Sequence, residues 1–140
     1  MMKHTTLLIP LLPLLWSMVH AETVVVVAAN SPLPALTANQ AADIFLGKAG
    51  TFPDGRQAVP LDLPADSAIR QDFYLKATGK TPQLLKSYWT KLIFTGQAEP
   101  PREVSDPAKL RKLVASNPGF VGYIDRGEVD GSVKIVLTLR

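Results

Sequence analysis

Apolar and polar positions fall into blocks along this chain, and the spacing within each block separates strands from helices. Val24–Val27 form an unbroken β-branched run inside Glu22–Ala29, which predicts a strand covered on both faces. It ends at Asn30-Ser31-Pro32-Leu33-Pro34, where two prolines forbid continuation. Leu36–Gly47 predicts a short helix: Ala41, Ile44 and Phe45 share a face, Thr37 and Gln40 have capping-box spacing, and Gly47 is placed to stop it. After a turn-rich loop, Ala58–Leu63 predicts a buried strand. Pro64-Ala65-Asp66 breaks that strand, and Ile69, Phe73 and Tyr74 then mark one face of a second helix with Asp66 or Ser67 as its N-cap.

Gly79 closes this helix and Thr81-Pro82 opens the next, in which Leu84, Leu85, Tyr88, Trp89, Leu92 and Ile93 make a wide apolar stripe. Such a stripe predicts a core-facing helix. Phe94–Pro101 reads as a proline-stiffened loop. A fourth helix follows, capped by Ser105 or Asp106, with Leu110, Leu113 and Val114 facing inward and Asn117-Pro118-Gly119 ending it. Phe120–Ile124 and Val133–Leu137 are the last two strands. The polar connection Asp125–Gly131 between them lacks the carboxylate spacing of an EF-hand loop and predicts a solvated turn.

The amino terminus changes how the rest is counted. A basic start containing Lys3 leads into an apolar segment, Leu7–Val19, and then Val19-His20-Ala21 with small or permissive residues where a signal peptidase cuts. The expectation is a signal peptide over residues 1–21, cleaved after Ala21, and one domain over residues 22–140. Pro10 and Pro13 interrupt the apolar segment, which is shorter than a bilayer span. Periplasmic export is the implied localisation.

Composition then removes whole classes of chemistry. Both histidines, His4 and His20, fall in the leader and there is no cysteine. The expected mature domain therefore has neither imidazole nor thiol, which excludes Ser-His-Asp and Cys-His catalysis, thiolate or histidine zinc sites and disulfides. No Ser-x-x-Lys motif is present, and no catalytic residue, metal or cofactor is assigned. The formal charge of +3 loses Lys3 with the leader, and the remaining cations are spread along the chain, so no nucleic-acid partner is expected.

The candidate chemistry lies at the break after the Ala58–Leu63 strand. The first N–H groups of a helix have no partner within it and stand at the positive end of its dipole, which attracts anions. Asp66, Ser67, Ala68, Ile69 and Arg70 are the candidate ligand-binding residues there, joined by Asn30 and Ser31 at the carboxyl end of the first strand.

The chain resembles the phosphate-binding proteins of ABC transporters, within the type 2 periplasmic-binding-protein superfamily. The resemblance rests on Leu36-Thr37 with Ile44-Phe45-Leu46-Gly47-Lys48, on Pro60–Phe73, on Tyr88-Trp89 with Phe94-Thr95-Gly96, and on Gly119-Phe120-Val121-Gly122-Tyr123-Ile124. It implies an α/β fold, a single periplasmic-binding-protein-like lobe with a small mixed sheet of about four or five strands and helices on both faces. It also implies a solute-binding protein and no enzyme, with phosphate or another small anion as ligand. An ABC transporter or another envelope protein, or a second copy in a homodimer, would be its partner.

That family holds its oxyanion at a Ser-Gly-Thr turn followed by Arg and Phe. Ser67, Arg70 and Phe73 keep this register, whereas Ala68 replaces the glycine and Ile69 the threonine. Leu63 stands where the family often has another arginine, and Ala29-Asn30-Ser31 replaces the Gly-Ser-Ser or Gly-Ser-Thr of the first-strand loop. Family members close two lobes over the ligand, and this chain has the length of one. Two readings follow: a small anion-binding protein with its seat near Ser67, or a degenerate single lobe that binds an envelope protein or peptide and no longer transports a solute.

Overall fold

The computed structural model describes residues 2–10 and 22–140. The cleavage point after Ala21 and most of the apolar leader segment lie outside the described residues. Among the described residues, no helix is long and apolar enough to cross a membrane.

The Val24–Val27 run becomes β1 (Thr23–Ala28), in which every residue is buried. It is followed by α1 (Ala38–Phe45), β2 (Val59–Asp62), α2 (Ala68–Thr78), α3 (Pro82–Thr95), β3 (Arg102–Glu103), α4 (Pro107–Ser116), β4 (Phe120–Asp125) and β5 (Val133–Thr138). The five strands form one mixed sheet in the order β3-β2-β4-β1-β5. β2 runs parallel to both β3 and β4, while β1 runs antiparallel to β4 and β5. The sequence reads β3 as loop, since two exposed residues between prolines carry no strand pattern.

Helix boundaries follow the capping residues. Thr37 and Gln40 form a reciprocal capping box at α1, and Gly47 leaves that helix with φ 72°. Ser67, Thr81 and Asp106 cap α2, α3 and α4 through their side-chain oxygens. Each satisfies an N–H that the helix itself cannot.

Alternation along β4 sets the two layers. Tyr123 points to the face covered by α1 and α2, where its ring stacks on Phe73 with centroids 4.2 Å apart and lies 5.7 Å from Phe45. Gly122 points the other way, against Leu110 and Val114 of α4. Helices thus cover both faces of the sheet. α3 is held differently: Leu85 and Trp89 are buried and Tyr88 donates from its hydroxyl to the Leu46 carbonyl at 2.6 Å, yet Leu84 and Ile93 are each 55% exposed. The wide stripe read as core is therefore buried along one edge only, because no element among the described residues lies over the other flank.

At Gly122 a Cβ would stand 2.5 Å from Leu110 Cδ2 and 3.3 Å from Val114 Cγ2. Gly122→Ala should push α4 off the sheet and cost about 1–3 kcal/mol, the usual penalty for overpacking. Urea unfolding at unchanged m-value checks this, and a variant as stable as the parent would refute the close approach.

Candidate functional site

The carboxyl end of β2 is where charge enters the fold. Asp62 is the last residue of the strand and is 3% exposed. Its carboxylate accepts from the Tyr123 hydroxyl, from the Tyr74 hydroxyl at 2.7 Å and from the Leu63 N–H at 3.1 Å. Tyr123 in turn accepts from the Leu63 N–H at 3.0 Å. Arg70 stands over this cluster, 3.7 Å from Asp62 Oδ2 and 4.0 Å from Glu103 Oε2, with its guanidinium across the Tyr74 ring at 5.6 Å. It also donates to the Leu63 carbonyl at 2.8 Å.

Burial pushes the Asp62 carboxyl above its ordinary range, and the two tyrosine hydroxyls and Arg70 act against that push. Burial and the neighbouring carboxylate raise both Tyr74 and Tyr123, so they remain neutral donors. Two of the hydrogen bonds to Asp62 tie other elements to β2: Tyr123 brings β4, and Tyr74 brings α2. The cluster thereby fixes where α2 begins.

At that beginning, the Ser67 N–H donates to the Pro64 carbonyl at 2.9 Å, and Ser67 Oγ accepts from the Arg70 N–H at 3.3 Å. The Gln71 N–H reaches the Ser67 carbonyl at 3.1 Å. Two donors are left over: the Ala68 and Ile69 N–H groups meet no acceptor among the described residues. Ala68 is exposed and Ile69 half-buried. Asp66 is exposed in the turn just before them. Four of the expected residues, Ser67 to Arg70, thus form one surface with Asp66 at its edge, but Arg70 turns its charge inward to Asp62.

Asn30 and Ser31 do not join them. Because β1 runs antiparallel to β2 and β4, its carboxyl end lies at the opposite edge of the sheet from Asp62, roughly 20 Å away along a six-residue strand. The expectation placed Asn30 and Ser31 at the carboxyl end of the first strand, and that end lies apart from Ser67 in the sheet. Ser31 is buried there, its Oγ accepting from the Leu33 N–H at 3.2 Å and from Arg56 at 3.3 Å, while its carbonyl accepts from Lys134 at 2.6 Å. Asn30 is exposed in the adjacent turn.

The Asp62 network was not read as such from the sequence. Its one signal is a lone carboxylate closing an apolar strand, which a buried strand tolerates only with donors around it.

No family model matches the sequence, and no curated protein matches it. Solved structures do. The fold matches a Clostridium perfringens protein assigned as a phosphate ABC transporter substrate-binding protein, crystallised with bound phosphate, at 22% identity and TM-score 0.66 over 82% of this chain. It matches an ABC-type phosphate transport receptor from Vibrio cholerae at 22% identity and TM-score 0.65, and PstS from Borrelia burgdorferi at 13% identity and TM-score 0.58, each over 82% of this chain. The chain spans 44%, 45% and 46% of those three proteins. Its fold is that of a single periplasmic-binding-protein-like lobe.

Asp62→Leu would leave the Tyr74 and Tyr123 hydroxyls and the Leu63 N–H with one shared acceptor fewer inside the core. A loss of about 3 kcal/mol or more is expected by urea unfolding. The pH dependence has a definite sign. A carboxyl raised in the folded state keeps its proton where the unfolded chain gives it up, so Asp62's contribution is greatest below the ordinary carboxyl range and falls as pH rises through its folded value. Measured against Asp62→Asn, the stability difference should shift toward the parent on acidification and stay flat above neutral pH. A difference independent of pH would refute the raised carboxyl.

Proposed function

We propose that this lobe is an exported solute-binding protein that takes a small oxyanion, phosphate being the first candidate, at the start of α2. The observation that carries the reading is the pair of unclaimed N–H groups at Ala68 and Ile69 beside the Ser67 hydroxyl. They stand at the positive end of an 11-residue helix that leaves β2. The fold likeness to phosphate-binding proteins supports the same choice of ligand.

Affinity follows from what the seat contains. Arg70 is occupied by Asp62, and Asp66 adds negative charge at the rim, so two amides and one hydroxyl supply most of the attraction. A few charge-assisted hydrogen bonds of about 1.5–3 kcal/mol each, less the cost of association, give millimolar binding. A transporter subunit or a second lobe closing over the seat would tighten it.

Phosphate at about ten times its Kd should stabilise the chain by about 1.4 kcal/mol in thermal unfolding, with sulfate similar and chloride inert. Ala68→Pro removes one of the two donors at a position where proline suits the first helical turn, after a Ser67 whose ψ of 125° already accommodates it. The variant should keep its Tm and lose most of the phosphate shift. Equal shifts for phosphate and chloride, or an Ala68→Pro variant with the full phosphate shift, would overturn the assignment.

A further inference from the structure

A groove of about 450 Å³ opens between α2 and α3, and the oxyanion seat does not use it. Its floor is Pro82, Leu85, Trp89 and Ile93. The floor is apolar because part of the α3 stripe faces it: Ile93 is 55% exposed, and Leu85 and Trp89 lie buried behind it. The rim is of one sign. Lys80, Lys86 and Arg70 line the groove and no carboxylate does. Arg70 is matched by Asp62 and Glu103. Among the described residues, Lys80 and Lys86 enter no ion pair, and Lys80 Nζ lies 4.9 Å from the centroid of the Tyr88 ring.

We propose that this groove binds a small amphipathic carboxylate, an aryl or short alkyl acid. Its apolar body would lie against Leu85, Trp89 and Ile93, and its carboxylate would face Lys80 and Lys86. Size and charge choose this occupant together. A few hundred Å³ of largely apolar wall suits a ligand of small-molecule dimensions, and two lysines among the lining residues, with no carboxylate beside them, favour an anion over a neutral or cationic analogue. An inorganic oxyanion would leave the floor wet, and a neutral hydrocarbon would leave the lysines unanswered. The inference stands apart from the oxyanion seat, since neither the Ala68 nor the Ile69 amide takes part in it.

Trp89 supplies the readout. The chain has two tryptophans, Trp16 and Trp89, so Trp16→Phe in the full chain makes Trp89 the sole indole reporter. The probes are 3-phenylpropanoate, its neutral amide and 3-phenylpropylamine. Saturable change in Trp89 emission is expected with the carboxylate, with the amide and amine each weaker by about fivefold or more at low ionic strength. Lys80→Gln with Lys86→Gln should weaken the carboxylate by about three- to tenfold and leave the amide unaffected, as for two screened surface charges. Ile93→Asp should abolish binding of all three, with Tm confirming that the variant folds.

Inorganic phosphate should neither shift Trp89 emission nor compete, which separates failure of this proposal from failure of the oxyanion seat. Equal affinity for acid and amide, or no saturation with any probe, overturns the proposal. A concentration-dependent dimer that shields Trp89 from acrylamide would show that a second copy fills the groove, and overturns it equally.

Discussion

A carboxylate buried at the end of a strand cannot be left alone, and the arrangement around Asp62 answers that constraint. Three donors from β4, α2 and the chain itself converge on it, and Arg70 closes the remaining side. Replacing water around a buried charge takes several such partners, each held in position by its own packing. The aromatic cluster of Phe45, Phe73, Tyr74 and Tyr123 provides that packing. The start of α2 is thus set by the needs of a neighbouring charge as much as by its own cap. The geometry at the helix start depends on a network that leaves its two unclaimed amides free.

The same network explains why one familiar residue has a different task here. Arg70 keeps the sequence register of a ligand-binding arginine, and its guanidinium is committed to Asp62 and the Leu63 carbonyl. Ala68 and Ile69, where the resembled family has glycine and threonine, leave only their backbone amides to the seat. Specificity in such a seat comes from geometry around two N–H groups, with little side-chain charge to reinforce it.

Local chemistry made much of this legible in the sequence. Thr37, Ser67, Thr81 and Asp106 cap the four helices, and Gly47, Gly79 and Gly96 leave α1, α2 and α3 with positive φ. These signals are contained within a few residues, so periodicity and capping rules find them. Strand direction is not local. Nothing in Thr23–Ala28 itself states that β1 runs against β4, and that single fact separates Asn30 and Ser31 from Ser67. Coverage of α3 is likewise tertiary: an apolar stripe announces a face that prefers contact, and whether Leu84 and Ile93 obtain it depends on what the rest of the chain can reach. The strand β3 escaped because two residues between prolines have no periodicity to read.

β1 has a further consequence, for the order in which the molecule can assemble. It lies between β4 and β5, so residues 23–28 find their partners among residues 120–138. The Glu22 carboxylate meets Arg126 at 2.7 Å across the same span. Joining the two ends of a chain carries a loop-closure cost before any sheet contact offsets it, and topologies of high contact order fold slowly. A chain emerging amino end first holds Val24–Val27 unpaired until residues 120–138 appear, and β4 and β5 then act as the latch that ends its exposure.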